Sequence, residues 1–235
     1  KFMGIFNGTS NFILSKMTHE QTTFKDALEE AQRLGFAEAD PTDDVEGVDA
    51  ARKVVITSYL SFNQVIKLND VKSVGISDIT LADINAASAL NYKIKSIGKG
   101  TYENGYVNAS VEPTLIHKNH QLAAVENEYN AIYVIGDAVG DTMFYGKGAG
   151  SLATGSAVVS DLLNVALFFE SNLHTLPPHF ELKTEETKEM MDGAEPVVIQ
   201  EKSNYYIVIS NNNKSLEKVE YDIKKKLPFH KSLDR

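Results

Sequence analysis

The stretch Tyr92–Val111, YKIKSIGKGTYENGYVNASV, decides the fold. Tyr92–Tyr102 and Tyr106–Val111 are both strand-like, rich in aromatic and β-branched residues. Glu103-Asn104-Gly105 between them is a hairpin signal, because Asn-Gly tolerates the positive φ that a tight antiparallel turn needs. Asn130–Gly136 and Thr142–Gly146 form a second pair of strand-like runs, and Phe2–Phe6 opens the chain as another. Between these lie helical signals. Thr23-Phe-Lys-Asp26 resembles a capping box with Asp in place of Glu. Phe24, Ala27, Leu28, Ala31 and Leu34 then recur at helical spacing, and Gly35 stands where a C-terminal cap belongs. Asp70–Ile79 reads as a loop or short strand, and Thr80 caps a helix through about Leu90. The sum is an α+β domain, an open and mostly antiparallel or mixed sheet with helices on one face.

Gly35–Lys53, GFAEADPTDDVEGVDAARK, carries the chemistry. Glu38, Asp40, Asp43, Asp44, Glu46 and Asp49 place six carboxylates within twelve residues, and such a cluster repels itself. It makes sense if some of them hold a cationic ligand group or fix Lys53 for proton transfer. Pro41 breaks regular structure. Asp43 or Asp44 is a good N-cap for a helix from about Val45 to Phe62. Val48, Ala51, Val55, Tyr59 and Phe62 mark one apolar face; Val54, Ile56 and Leu60 add apolar character elsewhere, so this helix reads as largely buried. Asp49 and Lys53 are four apart and share one side of it, which Glu38 and Asp44 can reach. The plain alternative is an exposed ion pair beside a solvated acidic loop, worth about 0.3–0.5 kcal/mol. The apolar character of the rest of the helix argues against it.

Three blocks, GIFNGTSNFILSKM at Gly4–Met17, GFAEADPTDDVEGVDAARK at Gly35–Lys53 and YGKGAGSLATGSAVVSDL at Tyr145–Leu162, resemble the signature blocks of homoserine dehydrogenase in order and spacing. The resemblance covers about residues 1–180 and includes no nucleotide-binding domain. It implies NAD(P)-dependent interconversion of L-aspartate 4-semialdehyde and L-homoserine, on the route to threonine, methionine and isoleucine. It further implies that Lys53 donates the proton, that Glu38 binds the substrate ammonium, and that Asp49 binds the substrate's polar end or Lys53 itself. Asp44 orients Lys53, and Gly8 and Thr9 line the same pocket. Gly35, Gly148 and Gly150 approach the cofactor. Phe36 stands where many relatives carry tyrosine, so a hydroxyl contact is lost there. Asp40 and Asp43 belong to loop structure and capping. The family pairs through this domain's sheet, which implies a homodimer, and it holds a monovalent metal ion near the junction with the nucleotide domain, through residues upstream of this chain; no metal ligands are assigned here.

Read by themselves, Asn7-Gly8-Thr9 is an ordinary strand–turn–helix junction leading into a helix from about Ser10 to Met17, whose N-terminus offers N–H groups to a carbonyl or anion. Gly146-Lys-Gly-Ala-Gly150 opens a helix through about Phe169 and does not replace the missing G-x-G-x-x-G fingerprint. Thr154 and Ser156 are helix-surface or packing residues. His117 and His120 form H-x-x-H without a third ligand nearby, a poor zinc motif.

Composition narrows the remaining classes. At 235 residues and 43% hydrophobic, the chain can bury one sizeable core with a small appendage. A net charge of -9 opposes nucleic-acid binding. The absence of cysteine excludes disulfides and thiol chemistry. No apolar run approaches the ~20 residues of a membrane span, and no signal peptide is visible, so the expected location is the cytoplasm. Residue 1 reads as an internal position of a longer protein. Residues 1–180 form the catalytic and dimerisation domain and 181–203 a linker with Pro177-Pro178 at the boundary. Residues 204–235 form a partial ACT-like segment, with a strand at Asn204–Ser210 and a charged helix at Ser215–Leu227. The isolated chain is expected to be inactive, since most of the cofactor site lies elsewhere. Two other functions fit the same fold: a substrate and dimerisation domain of another nicotinamide-dependent aldehyde or alcohol dehydrogenase, and a non-enzymatic dimerisation and substrate-binding module.

Overall fold

A computed structural model describes residues 1–170. The expectations for residues 171–235, the linker and the strand–helix tail, lie outside the described residues. Six strands form one sheet in the order β2-β4-β3-β1-β5-β6. They are β1 (Phe2–Ile5), β2 (Lys72–Ser73), β3 (Tyr92–Glu103), β4 (Tyr106–His117), β5 (Tyr129–Gly136) and β6 (Gly140–Lys147). All neighbours are antiparallel except β2 and β4. The helices are α1 (Gly8–Glu20), α2 (Phe24–Arg33), α3 (Thr42–Val45), α4 (Val48–Phe62), α5 (Leu81–Ala89) and α6 (Ser151–Glu170).

The β3–β4 hairpin turns at Asn104 and Gly105, both at positive φ (55° and 87°), as a two-residue antiparallel turn requires. β4 continues to His117, beyond the expected Val111. Pro113 does not interrupt it, because β2 pairs only with Ser110 and Val111. From Glu112 onward that side of β4 is an edge, where a missing N–H costs nothing.

Alternation along the strands sorts the core into two faces. Phe2, Phe6, Ala109 and Val111 meet Ala50, Ala51 and Val54 of α4. Ile94 joins Ile13, Leu14 and Met17 of α1 with Ala27 and Ala31 of α2 and Ile84 and Ala87 of α5. On the other face Ile5, Ile97, Ile116, Ala131 and Tyr133 pack on Leu122, Ala123 and Val125, a segment holding one 3-10 turn. α1, α2, α4 and α5 therefore cover one face, as the sequence implies, and this short segment covers part of the other.

Capping at the expected places sets most of the helix ends. Thr23 accepts the Asp26 N–H, and Thr80 and Asp83 form a reciprocal box. Gly35 follows α2 at φ 78°. Four expectations are corrected. The helix expected from Val45 to Phe62 is two pieces, because Gly47 adopts φ 77° and a side chain there would crowd Ser73 and Val111. Neither Asp43 nor Asp44 caps α4: Gly47 occupies that position, and both carboxylates are drawn to other partners. Nor is α4 largely buried, since Ile56 and Leu60 are 60% and 69% exposed. Only its Ala50, Ala51, Val54 and Ser58 side rests on the sheet. α1 is longer than expected and begins at Gly8, because Asn7 caps it by accepting the Ser10 N–H at 2.8 Å.

Candidate active site

Folding divides the six carboxylates and so relieves their repulsion. Asp40 accepts the N–H and hydroxyl of Thr42 at 3.1 and 2.6 Å, which holds its carboxyl below the usual range and starts α3. Asp43 pairs with Arg52. Glu46 turns to the Ser77 hydroxyl. Asp44 and Asp49 converge on Asn7, whose amide donates to the first at 2.6 Å and to the second at 3.0 Å. The Glu38 carboxylate stays exposed in the loop and makes none of these contacts; its backbone carbonyl accepts from Gln32.

Lys53 completes the cluster. Its Nζ donates to Asp49 Oδ2 at 2.7 Å and to the Phe6 carbonyl at 3.1 Å. An ammonium has three donors, so one N–H remains for a ligand among the described residues. The side chain is 44% exposed, so the pair with Asp49 contributes little stability, about 0.3–0.5 kcal/mol. What it fixes is direction: the ammonium is held at the rim of a cavity of about 380 Å³. Ile56, Ile132 and Phe144 give the cavity apolar walls; Asn130, Thr57 and Lys147 add polar groups, and Gly146 and Gly148 present bare backbone. Lys53 thus stands between an acidic cluster and an apolar cavity, with one donor free. That arrangement can hold an oxygen on which negative charge develops and deliver a proton to it.

The remaining expected residues fall around this centre. Thr9 is buried and donates its hydroxyl to the Phe36 carbonyl at 2.6 Å, tying the acidic loop to α1. Phe12 packs on Phe36, with ring centroids 5.0 Å apart, and reinforces that tie. Gly8 lies against the Glu128 carbonyl, 2.6 Å from where a Cβ would sit. Gly148 lines the cavity, and a methyl there would collide with the Asn130 amide. Gly150 precedes α6 at φ 116° with open space around it, and Gly35 is likewise open and lies away from the cavity lining.

Sequence reasoning missed three groups. Asn7 joins the two carboxylates that flank Lys53; its signal was an N-cap residue at a strand–helix junction. Asn130 donates to the same Phe6 carbonyl as Lys53, at 3.1 Å. The carbonyl itself is backbone and leaves no mark in a sequence. Among the described residues, no group of three or more His, Asp or Glu is placed to hold a metal ion. His117 ends β4 and His120 caps the 3-10 turn. Among the described residues, no helix is long and apolar enough to cross a membrane.

Comparison with known proteins follows the same lines. The family model for homoserine dehydrogenase matches residues 1–163, and the model for the homoserine dehydrogenase C-terminal domain matches residues 202–235. A homoserine dehydrogenase of Bacillus subtilis is 54% identical over 165 residues, which is 70% of this chain and 38% of that protein. A crystal structure of S. aureus homoserine dehydrogenase at pH 7.5 is 76% identical and has a TM-score of 0.77, over 98% of this chain and 54% of its own. A hyperthermophilic archaeal homoserine dehydrogenase mutant in complex with NADPH is 29% identical with a TM-score of 0.58, over 71% of this chain and 47% of its own. The chain therefore spans about half or less of each of these relatives.

Proposed function

This chain belongs to the homoserine dehydrogenase family, and from that premise we propose that it supplies the substrate side of an enzyme interconverting L-aspartate 4-semialdehyde and L-homoserine. The observation that carries the reading is the anchored Lys53 with one free N–H at the mouth of an apolar cavity.

The cavity suits a nicotinamide ring. Ile132 and Phe144 offer flat apolar surface, and Gly146 and Gly148 let a ring approach backbone closely. Gly148 and Gly150 are the residues that would border the cofactor; Gly35 would meet another part of it. When bound, NAD(P)H supplies the hydride for C4 of the aldehyde, and the oxidised form takes it back from the alcohol.

The chain's own residues handle the oxygen and the amino acid. In reduction, Lys53 hydrogen-bonds the C4 carbonyl oxygen, stabilises the charge growing there and gives up its proton; in oxidation it receives the hydroxyl proton. Asp49 keeps the ammonium aimed. Asp44 acts through Asn7, which bridges it to Asp49. Glu38, unpaired by other side chains and exposed, is available for the substrate's ammonium group. Thr9 and Gly8 hold the loop and the α1 N-terminus that frame the amino acid.

The enzyme so completed is a cytoplasmic homodimer of the amino-acid biosynthetic route to threonine, methionine and isoleucine. It uses NADP or NAD, with a monovalent ion bound outside the described residues. Exposed Leu152, Leu162, Leu163 and Leu167 on α6 support a further protein surface covering this helix. The test is an L-homoserine titration by calorimetry in the enzyme completed with a nucleotide-binding domain, beside its Glu38→Ala variant. Binding that the variant loses supports the assignment; equal binding by both removes Glu38 from the amino-acid site.

A further inference from the structure

We propose that Asn130 is a positioning residue for Lys53, acting through the Phe6 carbonyl that both side chains share. Phe6 follows the last paired residue of β1: the ladder with β5 ends at Ile5, opposite Ala131. The Phe6 carbonyl therefore has no strand partner to fix its direction. Two side-chain donors hold it instead, Lys53 Nζ and Asn130 Nδ2, each at 3.1 Å. A carbonyl has two lone pairs and accommodates both. Asn130 occupies one, which sets the peptide plane and leaves the other aimed at the ammonium.

The cost of keeping Asn130 marks its donor as the useful half. Its Oδ1 is buried without a hydrogen-bond partner, where an apolar side chain would leave no orphan. Its place is also tightly bounded. Oδ1 lies 3.3 Å from where a Cβ on Gly8 would stand, and any side chain at Gly148 would displace the amide. Asn130 pairs with Gly146 across the β5–β6 ladder, so the glycine segment bordering the cavity sits directly on the residue that aims Lys53. The charged groups around Lys53 are Asp49 on α4, Asp44 reached through Asn7, and Lys147 on the cavity wall, itself paired with Glu128 at 3.3 Å.

The inference rests on Lys53 being the proton donor, but its test does not depend on turnover. The chain is labelled with 13C at the lysine ε-carbon, and the Lys53 signal is assigned by its loss in Lys53→Arg. Asn130→Leu and the smaller Asn130→Ala both remove the donor to the Phe6 carbonyl. The carbonyl is then free to turn, the ammonium loses its aim, and the Lys53 signal moves towards the position of the exposed lysines at neutral pH. The other lysine signals stay in place in both. Movement of Lys53 in both variants supports the proposal. An unmoved Lys53 signal in either folded variant overturns it. If Asn130→Leu does not fold, Asn130→Ala decides. Failure here with an inactive Lys53→Ala enzyme would refute the positioning role and leave the proton-donor reading intact.

Discussion

Replacing Glu126 by Gln should destabilise the domain by about 3 kcal/mol and remove an acid-sensitive limb of its stability. Lys95 is 1% exposed, and its Nζ donates to Asn11 Oδ1 at 3.0 Å, the Val125 carbonyl at 2.6 Å and Glu126 Oε2 at 3.2 Å. Burial pulls its pKa from 10.5 down to about 8, against the opposing pull of Glu126. Glu126 also receives Lys93. Burial pushes the Glu126 carboxyl up, but the combined pull of Lys95 and Lys93 outweighs it and carries the group from 4.5 to about 2. At about 1.4 kcal/mol per pH unit, that displacement corresponds to about 3 kcal/mol. Breaking one side of a buried ion pair costs a similar about 3–5 kcal/mol, and the partial exposure of Glu126 favours the lower end.

The sign follows from where the protons sit. The folded Glu126 holds its proton less tightly than the unfolded chain, so its contribution is complete above about pH 4.5 and is lost as pH falls towards 2. Lys95 also has a depressed folded pKa, so stability rises as pH climbs from about 8 to 10.5. In Glu126→Gln the acid limb flattens, and the lower edge of the Lys95 window moves below 8. Urea melts of the chain at several pH values and thermal scans test this. The melting temperature at neutral pH should fall by about 6–12 °C, at roughly 2–4 °C per kcal/mol for a domain of this size. A variant within about 1 kcal/mol of the parent, with the same acid limb, would refute the reasoning.

Other expectations follow from the site. Gly148→Ala must push the Asn130 amide off the Phe6 carbonyl and should cut turnover about tenfold or more, with the midpoint of urea unfolding little changed; normal turnover would show that the glycine segment moves freely. Glu38→Ala should raise the Michaelis constant for homoserine about tenfold or more at similar kcat, the mark of lost uniform binding; an unchanged constant contradicts the ammonium role. Light scattering should size the protein as a dimer, and a monomer mass would count against pairing through this domain.

Much of the fold was legible because its signals are local. The Asn104-Gly105 turn, the Thr23 and Thr80 caps and the Gly35 terminator each act within a few residues. The break at Gly47 was not, because it depends on Ser73 and Val111 lying close by in space. The pairing of Asp49 with Lys53 followed from helical spacing, whereas the fate of the other carboxylates depended on Asn7, Arg52 and Ser77, which only the folded chain brings near. Lys93, Lys95 and Lys99 alternate along β3 as a solvated face would. Burial of Lys95 arises from Asn11 and Val125, both distant in sequence. The Phe6 carbonyl was beyond reach for a simpler reason: every residue carries one, and only topology decides which is left without a strand partner.

The most direct measurement is the turnover of Lys53→Ala, with homoserine and NAD(P), in the enzyme completed with a nucleotide-binding domain. The proton-donor reading predicts a loss of about 10²–10⁴-fold in kcat with the fold and homoserine affinity kept. Turnover near that of the parent would contradict it and remove Lys53 from the chemistry.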